Sequence, residues 1–142
     1  MTADPSSLRF FFDESALGVG KALAVARRDV VHAGHVLIPE VPLGSLDPVW
    51  MPAVAVRDLI VIGRDRRIRS KPGELALLLD SGLRVFWIAG KRDLSTWDYL
   101  VRLVNRSQDI EGVVAERGPG PWFMAIRETD VSEIALRAPR RR

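Results

Sequence analysis

Cysteine is absent from the 142 residues, which excludes a disulfide framework, a thiolate metal site and a cysteine nucleophile. Histidine occurs only twice, at His32 and His35, too few for a histidine-rich zinc site. Long apolar runs are missing as well, and none approaches the roughly 20 residues of a membrane-spanning helix. Residues 1–7 have neither a basic start nor an apolar stretch, so no signal peptide is expected and the expected location is cytoplasmic. What is present is a chain of 47% hydrophobic and 27% charged residues, the composition of one globular domain able to build a core. The expectation is a single domain over 1–136 followed by a basic tail, 137–142.

The net charge of +3 comes from 21 basic and 18 acidic residues, and it is unevenly spread. Arg137, Arg140, Arg141 and Arg142 stand together at the C-terminal end. A second cluster, Arg64, Arg66, Arg67, Arg69 and Lys71, surrounds a single Asp65. Two local cationic features suit the docking of a polyanion at one place rather than along the whole surface. A solvated loop and tail would carry the same charges.

Residues 8–12 form a short apolar, aromatic run that stops at Asp13-Glu14, read as a buried strand. Residues 15–28 carry Leu17, Val19, Leu23, Val25 and Ala26 on a mostly helical spacing that Gly18 and Gly20 weaken. Residues 35–38 read as a second strand closed by Pro39, and 39–44 as a loop. Asp47-Pro48 reads as a helix start, with Asp47 as N-cap and Pro48 at the first helical position. That helix is expected to reach about Arg57, with Pro52 near its first turn. Residues 59–62 form the third strand, running into Gly63 and the arginine-rich segment. A short helix over 72–79, a strand over 83–88 and a long amphipathic helix over 95–117 follow. Gly118-Pro-Gly-Pro121 breaks that helix, and 122–126 and 131–136 read as further strands. Alternation of strand and helix points to the α/β class, with a mainly parallel sheet and helices on its faces.

Ligands of an open parallel sheet bind beyond the carboxyl ends of the strands, where strand order reverses. Right-handed crossovers make the strands point one way. Asp13 and Glu14 follow the first strand and Asp65 follows the third. Asp47 opens a helix that runs against the strands, so it belongs to the same edge. Oxygen donors without His or Cys suit Mg²⁺ or Mn²⁺, and such an ion activates water and neutralises charge on a phosphate. With the arginines beside Asp65 holding an anionic substrate, these parts point to hydrolysis of a phosphodiester, other phosphate esters remaining open. Each acid also has a structural reading: Asp47 as a helix cap, Asp13 and Glu14 as first-turn residues, Asp65 as relief among arginines.

Two further features carry no chemistry in this reading. Gly18-Val-Gly-Lys-Ala22 is not a phosphate-binding loop, because Ser15 stands where its first glycine belongs and Ala22 where a hydroxyl must ligate Mg²⁺. His32 and His35 read as turn or edge residues, and Trp50, Trp87, Trp97 and Trp122 as core or interface anchors.

Three stretches carry a family resemblance: Phe-Phe-Phe-Asp13-Glu14, Asp47-Pro-Val-Trp-Met-Pro-Ala-Val-Ala55 and Leu59-Ile-Val-Ile-Gly-Arg-Asp65-Arg-Arg-Ile68. They resemble the PIN-domain ribonucleases, most closely the compact PIN-like branch that includes VapC-type toxins of toxin–antitoxin pairs, over residues 8–90. The resemblance implies a three-layer α/β/α sandwich and Mg²⁺- or Mn²⁺-dependent cleavage of RNA. It also implies a cognate antitoxin as partner and a homodimer. It matches Asp13 to the acid ending the first strand, Asp47 to the one opening the helix and Asp65 to the one after the following strand. Glu14 would join these three as a metal ligand, with Arg64, Arg66, Arg67, Arg69 and Lys71 binding RNA. Two departures stand out. The acid that longer members carry on a middle helix has no counterpart, and Gly63 stands where Thr or Ser often precedes Arg-Asp. Two other readings compete with the nuclease. One is a receiver-like phospho-switch with Lys91 as its lysine, the other a catalytically inactive RNA-binding module.

Overall fold

Three consecutive phenylalanines leave the first strand no side to turn to water, and the chain places that strand inside the sheet. The computed structural model describes residues 7–64, 71–90 and 93–136. β1 (Phe10–Phe12) leads through a 3-10 turn (Glu14–Ala16) to α1 (Leu17–Ala26) and β2 (Val30–His32). Then come α2 (Asp47–Val56), β3 (Ile60–Gly63), α3 (Pro72–Asp80) and β4 (Arg84–Ile88). The chain continues with α4 (Thr96–Arg117), β5 (Trp122–Ile126) and β6 (Val131–Glu133). The strands stand in the order β2-β1-β3-β4-β5-β6, all neighbours parallel except β5 and β6.

Alternate residues feed two separate cores. Phe11, Val61, Val85 and Phe123 register across the sheet and pack with Trp50, Met51 and Val54 of α2 and Leu78 of α3. Phe12, Ile62, Phe86 and Met124 form the opposite row, packed with Val19 of α1 and Leu103 and Ile110 of α4. Burying each such side chain contributes about 1.5–3 kcal/mol, so these rows hold the layers together. The result is the expected α/β sandwich of three layers. Strand order reverses at β1, which has β2 on one side and β3 on the other. The carboxyl ends of β1 and β3 therefore frame a crevice.

Several local expectations are corrected. The second strand is Val30–His32, not 35–38. Residues 35–38 turn over, with Ile38 N donating to His35 O, Val41 N to Ile38 O and Gly34 N to Val41 O. Ile38 and Val41 are buried from this loop rather than from a strand. Asp47 is the first helical residue, not the N-cap; Leu46 holds the cap position and no side chain caps the helix. Pro52 lies in the second turn of α2, so the ladder lacks a donor there. β6 is shorter than expected and antiparallel. Among the described residues no helix is long and apolar enough to cross a membrane.

Candidate active site

Asp13 leaves β1 with an extended backbone (φ −75°, ψ 177°) and caps the 3-10 turn that follows. Its Oδ1 accepts from Ser15 N at 3.1 Å and from the Ser15 hydroxyl. The Ser15 Oγ in turn accepts from Arg64 N at 2.7 Å, just beyond β3. Asp13 is 7% exposed and lies against Gly63, where an added Cβ would stand 2.7 Å from Asp13 Oδ2. The missing side chain at 63 is what gives the carboxylate its place.

Glu14 is exposed and accepts from Gly44 N, tying the site to the loop that carries Ile38 and Val41. Asp47 Oδ1 accepts from Trp50 Nε1 at 2.8 Å. The Trp50 ring stacks on Phe11 at 5.6 Å, so the core orients this acid. Asp13, Glu14 and Asp47 line one cavity of about 120 Å³, floored by Phe11 and Trp50 and flanked by Ser15 and Ser45. Three of the four expected acids thus line one cavity beyond the carboxyl end of β1, walled on its other sides by the loop after β2 and the first turn of α2.

The cations are divided. Arg64 pairs with Asp93 and lies over the Tyr99 ring at 5.6 Å, held toward the start of α4. Lys71 pairs with Glu74 at 3.6 Å. With Asp47 it lines an open depression of about 550 Å³ between the first turns of α2 and α3. Asp65, Arg66, Arg67, Arg69, Lys91 and the arginines from 137 on lie outside the described residues.

Carboxylate and hydroxyl oxygens are the donor type a hard divalent cation takes. Among the described residues, however, no three Asp, Glu, His or Cys side chains are grouped as a metal ion requires. The described carboxylates therefore fit such an ion in chemistry and supply only part of a shell.

Ser15 was not singled out as a site residue by the sequence, and its only signal was its place two residues after Asp13. Trp50 is the core anchor the sequence predicts, at 6% exposure; that its indole also holds Asp47 follows from the i, i+3 spacing on α2.

The family described as PIN like domain matches residues 8–90, more than half of the 142 residues. No curated protein sequence and no solved structure matches the chain. The sheet order, the acid-lined cavity at the end of β1 and this match agree, and the chain belongs to the PIN-like domain family.

Proposed function

We propose that this PIN-like domain is a Mg²⁺- or Mn²⁺-dependent endoribonuclease and the toxin of a toxin–antitoxin pair. PIN-like domains are generally nucleases, and one observation carries the reading furthest. Asp13 and Glu14, which follow β1, and Asp47, which opens α2, line a single cavity. No folding rule asks for three acids there, since like charges in a cleft repel.

In this reading Asp13, Asp47 and Asp65, with Glu14, hold the ion. When bound, the ion supplies water activation and neutralises charge developing on the phosphate. Trp50 keeps Asp47 oriented, and the apolar floor of Phe11 and Trp50 excludes water from beneath the acids. Arg64, Arg66, Arg67, Arg69 and Lys71 bind the RNA backbone. The toxin assignment, the antitoxin partner and the homodimer rest on the resemblance of the three motifs to VapC-type proteins.

The test is cleavage of end-labelled RNA by the full chain with Mg²⁺ or Mn²⁺. Asp13→Asn and Asp65→Asn should each lower the rate by roughly 100-fold or more, the loss of about 2.7 kcal/mol of transition-state stabilisation, with unchanged circular dichroism. Undiminished cleavage by Asp65→Asn overturns the site. Salt-sensitive RNA binding without cleavage at any metal concentration would favour the inactive binding module.

A further inference from the structure

We propose that Ser15 is a positioning residue that locks the ends of β1 and β3 into one unit; its effect on catalysis rests on the nuclease reading above. A serine hydroxyl has one proton to give and lone pairs that accept. Here the proton goes to Asp13 Oδ1 and a lone pair receives Arg64 N–H at 2.7 Å. One oxygen therefore joins a buried carboxylate to the first backbone N–H beyond the neighbouring strand.

The hydroxyl thus sets the carboxylate plane of Asp13 and holds the first amide beyond β3 against it. The bond to Asp13 is charge-assisted, the stronger class of hydrogen bond, and Gly63 closes the other side of that carboxylate. Asp13 is held from two directions and has little freedom to swing.

A plain turn cap would behave differently. The cap itself needs only Ser15 N, which donates to Asp13 Oδ1 at 3.1 Å and survives replacement by alanine. Asp13 N also donates to Ile62 O at 3.3 Å, so removing the hydroxyl should leave the turn, the strand pairing and the fold while releasing the Arg64 amide from the Asp13 carboxylate. Threonine keeps the hydroxyl and should restore the bridge.

The experiment compares full-length wild type, Ser15→Ala and Ser15→Thr by amide hydrogen exchange, calorimetric Mn²⁺ titration and steady-state RNA cleavage. In Ser15→Ala the Arg64 amide should exchange roughly tenfold faster, as loss of one hydrogen bond worth about 1.4 kcal/mol implies, while amides within β1 and β3 keep their protection. Mn²⁺ should bind several-fold more weakly, and kcat should fall roughly tenfold with KM within about twofold, the pattern of lost transition-state positioning. Ser15→Thr should return all three values toward wild type. Should the alanine chain lose its circular dichroism, Ser15→Cys, with a weaker donor and acceptor, must show the same direction of change. Wild-type exchange at Arg64 together with wild-type kcat in Ser15→Ala overturns the proposal. A wild-type chain that neither takes up Mn²⁺ nor cuts RNA refutes the nuclease reading instead, and Arg64 exchange still decides the bridge.

Discussion

A hydrogen atom at Gly63 is the nearest neighbour the Asp13 carboxylate has room for on that side. An added Cβ would lie 2.7–2.9 Å from three atoms of that carboxylate. The short Asp side chain, already held by Ser15, has no easy retreat. Overpacking of this kind costs about 1–3 kcal/mol. Gly63→Ser would bring the chain closer to the motif of longer PIN domains, yet it should lower the thermal midpoint and reduce RNA cleavage by roughly tenfold. An unaltered rate in that variant would mean that the observed pose of Asp13 is not the working one. At this scale the acids were legible, because Asp13, Glu14 and Asp47 sit at the ends of recognisable elements. Ser15 was not: its partner Arg64 is 49 residues away, and a serine after an acid carries no pattern of its own.

The connection from β2 to α2 is an element in its own right. Residues 33–46 contain no helix; the loop closes through its own backbone bonds and sinks Ile38 and Val41 into the core. His35 staples it by accepting from Leu37 N at Nδ1, 3.0 Å away. Its ring meets His32 edge-on at 5.0 Å, and His32 Nδ1 is bonded to Ala33 O at 2.7 Å. Burial lowers the His35 pKa, and electrostatic repulsion from the neighbouring His32 lowers it further. The folded loop thus favours neutral His35, while the unfolded chain titrates near 6.5. Stability should be full above about pH 6.5 and fall as the pH drops from there toward the depressed folded value, because the unfolded state binds the proton first. Thermal melts between pH 7.5 and 5.5 should show this decline, and His35→Asn, whose Oδ1 can take over the acceptor role, should flatten it. An equal slope in both proteins would remove His35 as the cause. This loop is also where reading by pattern fell short. β2 is three residues long, too short to show a period, and the apolar 35–38 run imitates a strand because a loop plug and a strand both bury aliphatic side chains. α2 was legible from Asp47-Pro48. Its cap was not, because the Trp50 indole takes the carboxylate that local rules assign to the helix end.

Across the whole molecule the two faces of the sheet are covered unequally. α2 and α3 pack on one core and α1 and α4 on the other. The crossover through α4 moves along the sheet in the same direction as those through α2 and α3 but passes over the opposite face. Its hand is therefore opposite to theirs, an exception to the right-handed preference. The ten residues of α1 are too few to roof Phe10, Phe12, Ile60, Ile62, Phe86 and Ile88, and the 22 residues of α4 supply the missing cover. The fit is incomplete. Phe10, Phe12, Leu23, Ile62, Leu103 and Ile110 line an apolar cavity of about 270 Å³ between α1 and α4, together with Arg27, Ser107 and Glu111. Arg9 bridges Glu111 and Asp29, an exposed network of small worth. Ser107 spends its hydroxyl on the Val104 carbonyl of its own helix, so replacing it orphans no buried partner. Ser107→Leu should extend into the cavity, gain helix propensity and stabilise the fold by about 0.5–2 kcal/mol, raising the thermal midpoint by roughly 2–6 °C. Cleavage should be unchanged, since the acids open on the other face. A lower midpoint would mean that α1 and α4 cannot accept the added volume, and a changed rate that the two faces of β1 are coupled through Phe12.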